Sequence, residues 1–289
     1  MPLSVFTLTL LGLAGCAAET PDYSSDADTG STQALVTIDR AVDLDAPETL
    51  RAEAFAGIVQ APPEVDPATV MRLARLGLDL PDVGHCAVPA RDGAGSIPMN
   101  PTSRVEFLEA GDVSLKTSEL NASLAPRAFP AFTDRISGVV YTTRDRTAEP
   151  LPAGTRYELF ASGSFALPAF SMAADAPAPL SDVQIQGIPV EELAAVVPRE
   201  PLLLSWLAGG SGDLVYFEAA DENGVASLIC TFRDDAGSGT VPATSISLSG
   251  SGSLSLHRVR TVPFQSPGVD AGEVRFDFQV VTHVDFSSG

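Results

Sequence analysis

The chain has 289 residues, with 37 acidic side chains against 17 basic ones and a formal net charge of −20 at pH 7. So acidic a chain repels phosphate backbones and anionic lipid headgroups at long range, which disfavours nucleic-acid binding and electrostatic attachment to membranes. A cationic partner, a divalent ion or simply a soluble surface of like charges remains compatible with this composition.

The N-terminus is apolar and uncharged from Leu3 to Leu13. A stretch of that length is typical of an export-signal core and is too short to span a bilayer as a helix. It ends in "LAGC", closing at Cys16, and this resembles the lipobox of bacterial lipoproteins. The resemblance implies that residues 1–15 are a signal peptide that is removed and that Cys16 is acylated. Because several acyl chains hold a protein stably on a membrane, the lipid bilayer is a predicted partner.

Ala17 and Ala18 follow the cysteine where an aspartate would signal retention, and by resemblance to enterobacterial sorting rules this implies the outer membrane of a Gram-negative bacterium. An ordinary secretory signal with an incidental cysteine is the alternative. The next residues contain almost no large apolar side chain, so residues 16–34 are predicted to be the lipidated cysteine and a disordered acidic tether.

The chain after the tether has short β-branched or aromatic segments bounded by Gly, Pro, Asn and Asp, which predicts a β-sandwich domain over residues 35–176. One short helix is predicted at 67–76, because Asp66 can cap it and Gly77 can end it. Ala and Pro accumulate at 173–182, which predicts a domain boundary. The predicted strands are 35–42, 49–59, 104–109, 112–117, 137–143, 155–163 and 165–172.

Residues 183–289 show clearer strand patterns in "LLLSW", "DLVYFEA" and "SLICTF", and an Asn223-Gly224 pair favours a tight hairpin turn between the last two. The final strand, Val274 to Phe286, alternates apolar residues with a polar face predicted to be wet. That polar face carries Arg275, Asp277, Gln279, His283 and Asp285.

The run "PLLLSW", a turn and "DLVYFEA" resembles the opening strands of fibronectin type III and related immunoglobulin-like domains, with Trp206 as the core tryptophan. The chain is also similar to uncharacterised lipoproteins of GC-rich Gram-negative bacteria, in which a "GDV" strand motif (residues 111–113) and a later "LSW…C" domain recur. That likeness implies no known activity. The predicted fold is all-β, with two tandem immunoglobulin/fibronectin III-like β-sandwiches and one short helix after the signal and tether.

Two cysteines, Cys86 and Cys230, remain after lipidation of the first, in an oxidising compartment. A bridge between them and a buried free thiol at Cys230 are both open, because the sequence does not place their Cα atoms within bonding reach.

Motifs for known chemistry are missing from the sequence. There is no Gly-x-Ser-x-Gly elbow, and the Ser/Gly-rich stretch 245–257 is predicted to be strand and turn. His85 and Cys86 would point to opposite faces of a strand, and His257 and His283 are isolated, so no metal site is predicted and the histidines are expected to be solvated or structurally bonded. The acidic pairs 191–192 and 234–235 are predicted to be loop residues, and no phosphate loop or cofactor motif occurs.

These features predict a membrane-anchored envelope lipoprotein without enzyme activity, with a binding, accessory or scaffold role toward an unknown envelope protein or glycan. A carbohydrate-active or other hydrolytic enzyme that uses dispersed carboxylates is one alternative, and it requires a pocket with two close carboxylates of raised pKa. A calcium-dependent adhesion module, suggested by the acidity, is another alternative.

Overall fold

The computed structural model describes residues 30–47, 50–63, 65–66, 69–71, 77–89, 104–129, 136–143, 151–197, 200–243 and 246–286. These residues are nearly all β, which confirms the predicted fold class. The first nine strands are β1 (Ser31–Asp43), β2 (Arg51–Ala61), β3 (Cys86–Ala87), β4 (Val105–Phe107), β5 (Val113–Lys116), β6 (Asn121–Ala128), β7 (Ile136–Thr142), β8 (Arg156–Ala161) and β9 (Phe170–Asp175).

Among its described residues, the second half of the chain has nine further strands and two short 3-10 helices, Val190–Glu192 and Asp234–Ala236. The strands are β10 (Gln184–Ile185), β11 (Ile188–Pro189), β12 (Ala195–Val196), β13 (Leu202–Ser205), β14 (Leu214–Asp221), β15 (Ala226–Arg233), β16 (Ser238–Val241), β17 (Gly250–Ser266) and β18 (Val269–Phe286).

Two sheets contain these strands. The larger sheet has 14 strands in the order β3-β15-β14-β17-β18-β1-β2-β4-β7-β6-β5-β8-β9, with β12 paired to the end of β18. The smaller sheet has four strands in the order β11-β10-β13-β16. The long antiparallel hairpin of β17 and β18 is central to the large sheet, and β1 runs parallel to β18 on its other side.

Three hydrophobic clusters hold the layers together. The first packs β1, β2 and the first half of β18 against β5, β8 and β9 of the same sheet. The second lies between the small sheet and strands β14, β15, β17 and the end of β18, and it includes Trp206. The third covers the opposite face of β1 and β2, where Val65, Val70 and Met71 pack on Val59 and Phe107.

The two predicted domains correspond to different hydrophobic clusters near their boundary, but the large sheet contains strands of both. Apolar residues near the predicted boundary fall into different clusters, with Ala176 in the first and Leu180 in the second. However, β18 contributes Phe276 to the first cluster and Phe286 to the second, so one strand serves both cores. The domain bounds themselves stay a prediction.

Some local predictions need correction. The predicted tether ends too late, because residues 31–34 already belong to β1 and Ala34 is buried in the first cluster. Strand β6 was not predicted, since its sequence "NASLAPRA" is rich in alanine and contains proline, both of which are depleted in strands. The predicted strand at 165–172 is displaced to β9.

The predicted helix is described only in part. Residues 69–71 are helical, and the backbone N–H of Thr69 donates to the Asp66 carboxylate at 3.2 Å, as expected of an N-cap. The rest of the predicted helix, 67–68 and 72–76, lies outside the described residues, as do the predicted signal peptide and Cys16. Among the residues that are described, no helix has the length and apolar character to cross a membrane.

Candidate functional site: a polar cleft on the large sheet

Successive side chains of a strand point to opposite faces of the sheet. On five neighbouring strands of the large sheet, many of the side chains that point to one shared face are polar. This is the face of β14, β17, β18, β1 and β2 that points away from the second hydrophobic cluster. Its polar members include Tyr216, Glu218, Ser255, His257, Asp277, Gln279, Asp39 and Glu53. Part of this face forms a cleft of about 450 Å³ whose lining includes Asp39, Glu53, Glu218 and Ser255.

A chain of hydrogen bonds joins β17 and β18 on this face. The Oγ atom of Ser255 lies 2.9 Å from Nε2 of His257, and Nδ1 of His257 lies 2.8 Å from Oδ1 of Asp277. Because a carboxylate can only accept, Nδ1 carries a proton and donates to Asp277. The serine hydroxyl donates to Nε2 whenever that nitrogen carries no proton. We call Ser255, His257 and Asp277 the relay.

Tyr216 holds the relay from the side. Its ring stacks on the His257 imidazole with the ring centroids 3.9 Å apart, and its hydroxyl donates to Oδ2 of Asp277 at 2.8 Å. Burial raises the pKa of Tyr216 well above its ordinary value, so the phenol remains a donor. Burial also acts to raise the pKa of Asp277, but the interactions with His257 and Tyr216 outweigh it and hold that pKa below its ordinary value.

Two carboxylates of the cleft are harder to ionise than usual. Burial raises the pKa of Asp39 to about 6, and the charge of Asp277 on the neighbouring strand adds to this effect. Burial likewise raises the pKa of Glu218. A third acid, Glu53, accepts a hydrogen bond from Oγ1 of Thr142 at 2.9 Å. The cleft therefore holds acids on paired strands, and two of them, Asp39 and Glu218, keep their protons to a higher pH than surface carboxylates do.

His283 sits at the mouth of this cleft and of a second cleft of about 530 Å³. It is not isolated, because its Nδ1 lies 3.1 Å from Oδ2 of Asp45 and 3.8 Å from Oδ1 of Asp43. Within the described part of the chain, these three residues can bring ligand atoms within 4.8 Å of one another. One imidazole and two carboxylates are suitable ligands for a divalent cation. However, the His283 backbone N–H already donates to Asp45 at 2.8 Å, so hydrogen bonding explains the cluster without an ion.

The other predicted acids divide into buried and exposed groups. Asp234 is fully buried, which corrects its prediction as a loop acid, and it accepts from the indole of Trp206 and from Arg258. Its neighbour Asp235 lies at the surface in an ion pair with Arg233. The acids at 191–192 are exposed on a 3-10 helix.

The structure decides the sequence predictions for the two cysteines and for Trp206. Cys86 and Cys230 form a disulfide that joins β3 to β15, so the bridge is the outcome of the two open alternatives. The Cys86 sulfur is therefore not a metal ligand. Trp206 is buried in the second cluster, as predicted for a core residue.

Sequence reasoning missed the relay because it took His257 as isolated and Asp277 as wet. In the structure the Asp277 side chain is 15% exposed and His257 is 6% exposed. A signal was present, since Ser255 and His257 stand two residues apart and share a strand face. What the sequence lacked was the register that brings Asp277 and Tyr216 beside them.

The fold and cleft define an all-β protein of packed, open sheets with a polar site on one sheet face. No protein-family model and no curated protein sequence matches the chain. One solved structure similar to this chain is the Fcho1 Mu homology domain of Danio rerio with a bound Eps15 peptide, at 10% sequence identity and a TM-score of 0.29 over 90% of this chain and 100% of that one. Similarity at that level supports no inference about function.

Proposed function

We propose that this protein is an envelope lipoprotein, anchored to a Gram-negative outer membrane through acylated Cys16, and that it binds a cationic ligand in the polar cleft. The lipobox-like sequence supports the anchor. The observation that carries the binding role is the set of carboxylates that lines one cleft on a rigid sheet face. A primary amine or guanidinium group fits this lining, because it can pair with several carboxylates at once.

The charge balance of the cleft supports a cationic ligand over an anionic one. Its lining contains Asp39, Asp43, Glu53 and Glu218 against two arginines, Arg40 and Arg51. A protein of net charge −20 also attracts cations at long range. The group bound in the cleft would be a basic side chain of an envelope protein, or an amino group on a small molecule or glycan. Partners of these kinds are consistent with an accessory or scaffold role.

A binding experiment can test the cleft directly, with spermidine as a small cationic probe. Calorimetric titration of the full chain is expected to give saturable binding that weakens at least tenfold in a Glu53→Gln/Glu218→Gln double variant. Glu158→Gln is the matched control, because Glu158 is exposed on β8 and is not part of the cleft lining. Equal binding by the double variant and the control would contradict the proposal.

A second experiment addresses the partner. Crosslinking in intact cells, followed by recovery of the tagged protein, is expected to yield an envelope component with the wild type and less of it with the double variant. Recovery that does not depend on the two glutamates would place the partner on another surface.

A hydrolytic enzyme that uses carboxylates is a second candidate, favoured by one observation. Asp39 and Glu218 line the same cleft, and burial raises the pKa of both. Raised carboxyl pKa values in a cleft are typical of general acids. Release of reducing sugar from envelope glycans that is lost in both Asp39→Asn and Glu218→Gln would support this candidate. Release unaffected by either change would remove it.

Calcium-dependent adhesion stays a prediction from the acidity alone. It requires a chelator to lower the melting temperature, and an unchanged melting curve would remove it.

A further inference from the structure

The relay has the atom order of a nucleophile, a general base and an orienting acid. Ser255 Oγ contacts His257 Nε2 at 2.9 Å, and His257 Nδ1 contacts Asp277 at 2.8 Å. These contacts lie within the distance at which a base can take a proton from a nucleophile. The order depends on side chains and their geometry and needs no particular fold or sequence motif.

Only one end of the relay reaches the cleft. Ser255, which is 7% exposed, is part of the cleft lining, whereas His257 and Asp277 are not. The tyrosine hydroxyl occupies the second oxygen of Asp277, so that carboxylate is held by donors on both oxygens. A buried imidazole held by Asp277 therefore contacts a serine of the cleft lining.

We propose that Ser255 is a nucleophile that cleaves acyl esters bound in the polar cleft, with His257 as general base and with Asp277 and Tyr216 as positioning residues. The inference rests on the proposed function in that the cleft selects the substrate. Because carboxylates outnumber arginines in the cleft lining, the substrate class is an ester of a neutral or cationic alcohol, such as an amino alcohol.

The reaction balances without a further reagent. Ser255 Oγ bonds to the acyl carbon while its proton passes to Nε2 of His257. The bond from the acyl carbon to the alcohol oxygen breaks, and the leaving alcohol takes that proton. Water then attacks the acyl-serine and gives a proton to Nε2, which returns it to Ser255 Oγ as the carboxylic acid departs.

The strand position of Ser255 limits the rate. β17 is paired with β14 on one side and β18 on the other, so the backbone N–H groups near Ser255 serve the sheet and do not form an oxyanion hole. Loss of a single oxyanion donor costs about 10²–10³ in rate. We therefore expect slow turnover, measurable first with activated esters.

A fluorophosphonate probe tests the nucleophile directly on the purified full chain. Wild-type protein is expected to be labelled, with peptide mass spectrometry placing the adduct on Ser255. Ser255→Ala is expected to abolish labelling, and His257→Gln is expected to slow it by about 10²–10⁴, the usual contribution of a general base. The matched control is Ser251→Ala, because Ser251 lies on the same strand and contacts the Asp285 carboxylate but no imidazole. Absence of wild-type labelling, or equal labelling of Ser255→Ala, would overturn the proposal.

Substrate selection separates this inference from the proposed function. For each substrate, the rate of enzymatic cleavage is divided by the rate of cleavage by a non-enzymatic base. This ratio is expected to be higher for the cationic ester acetylthiocholine than for neutral 4-nitrophenyl acetate. The Glu53→Gln/Glu218→Gln variant is expected to show no such preference. Binding of spermidine without labelling would overturn the serine chemistry alone, whereas labelling without any effect of the two glutamates would overturn the cation site alone.

Discussion

The indole Nε1 of Trp206 lies 3.0 Å from Oδ1 of Asp234, a carboxylate with no solvent exposure. The same oxygen accepts from Arg258 at 2.9 Å, and the Arg258 guanidinium also donates to the backbone oxygens of Ala178, Pro179 and Leu207. A buried ion pair thus links the core tryptophan to the segment that joins the two predicted domains.

Removing Trp206 should destabilise the protein strongly. We expect Trp206→Ala to lower the free energy of unfolding by about 3–5 kcal/mol, because a large buried side chain is lost and a cavity is left. Urea unfolding monitored by circular dichroism provides the measurement. Leu203→Ala is the control, because Leu203 lies on β13 just before Trp206 but is 56% exposed. This substitution should change the free energy of unfolding by no more than about 0.5 kcal/mol. Equal effects of the two changes would contradict the core role.

Breaking the buried ion pair should cost a similar amount. Asp234→Ala leaves the Arg258 charge buried without its carboxylate, which typically costs about 3–5 kcal/mol. Asp235→Ala is the neighbouring control, since that carboxylate pairs with Arg233 at the surface, where ion pairs contribute little to stability. The same urea titration compares them, and a mild effect of Asp234→Ala would mean that Arg258 reaches water.

The pKa of Asp39 predicts a pH-dependent stability. Burial raises that pKa from 3.8 to about 6, so the folded state binds the proton more tightly than the unfolded chain does. Stability from this group is present below pH 3.8 and is lost as the pH rises to about 6. Asp39→Asn should therefore raise the free energy of unfolding at pH 7.5 by up to about 3 kcal/mol, at 1.36 kcal/mol per pKa unit, and should change it little near pH 4.

Urea unfolding at several pH values measures this effect, with Glu158→Gln as the exposed-acid control. An Asp39→Asn gain that is the same at pH 4 and pH 7.5 would contradict the assigned titration.

The disulfide should contribute substantially to stability. Cys86 and Cys230 are separated by 144 positions, and closing a loop of that size contributes up to about 5 kcal/mol in the chain-entropy model. A Cys86→Ala/Cys230→Ala double variant should lose a comparable amount, measured against wild type without reductant. Wild type treated with dithiothreitol should approach the variant, and no difference between oxidised and reduced protein would argue that the bond is not formed.

The anchor has its own test at Cys16. Cys16→Ser should move the protein from the membrane fraction to the soluble extracytoplasmic fraction and abolish palmitate incorporation, because the acyl chains supply the attachment. Cys86→Ser should leave the protein in the membrane fraction. A Cys16→Ser protein that stays membrane-bound would contradict the lipoprotein prediction.

Local periodicity in the sequence was enough to find most strands. The alternation from Val274 to Phe286 predicted a long strand with one buried side, and β18 has that pattern. The Asn-Gly pair predicted the turn between β14 and β15. The Ser/Gly-rich stretch 245–257 was predicted to be strand and turn, and its part from Gly250 onward begins β17. These features depend on residues close in the chain, which act through backbone preference and side-chain period.

The tertiary structure alone decided which strands are neighbours. Pairing of β1 with β18 joins the two ends of the described chain. It places Asp39 beside Asp277, whose charge adds to the effect of burial in raising the Asp39 pKa. The register of β14, β17 and β18 likewise brings Tyr216 and Asp277 into contact with the imidazole of His257. Composition and periodicity determined that the chain is an acidic all-β protein. Its cleft and relay depend on long-range register, which follows from the packing of whole sheets and is not encoded in any short segment.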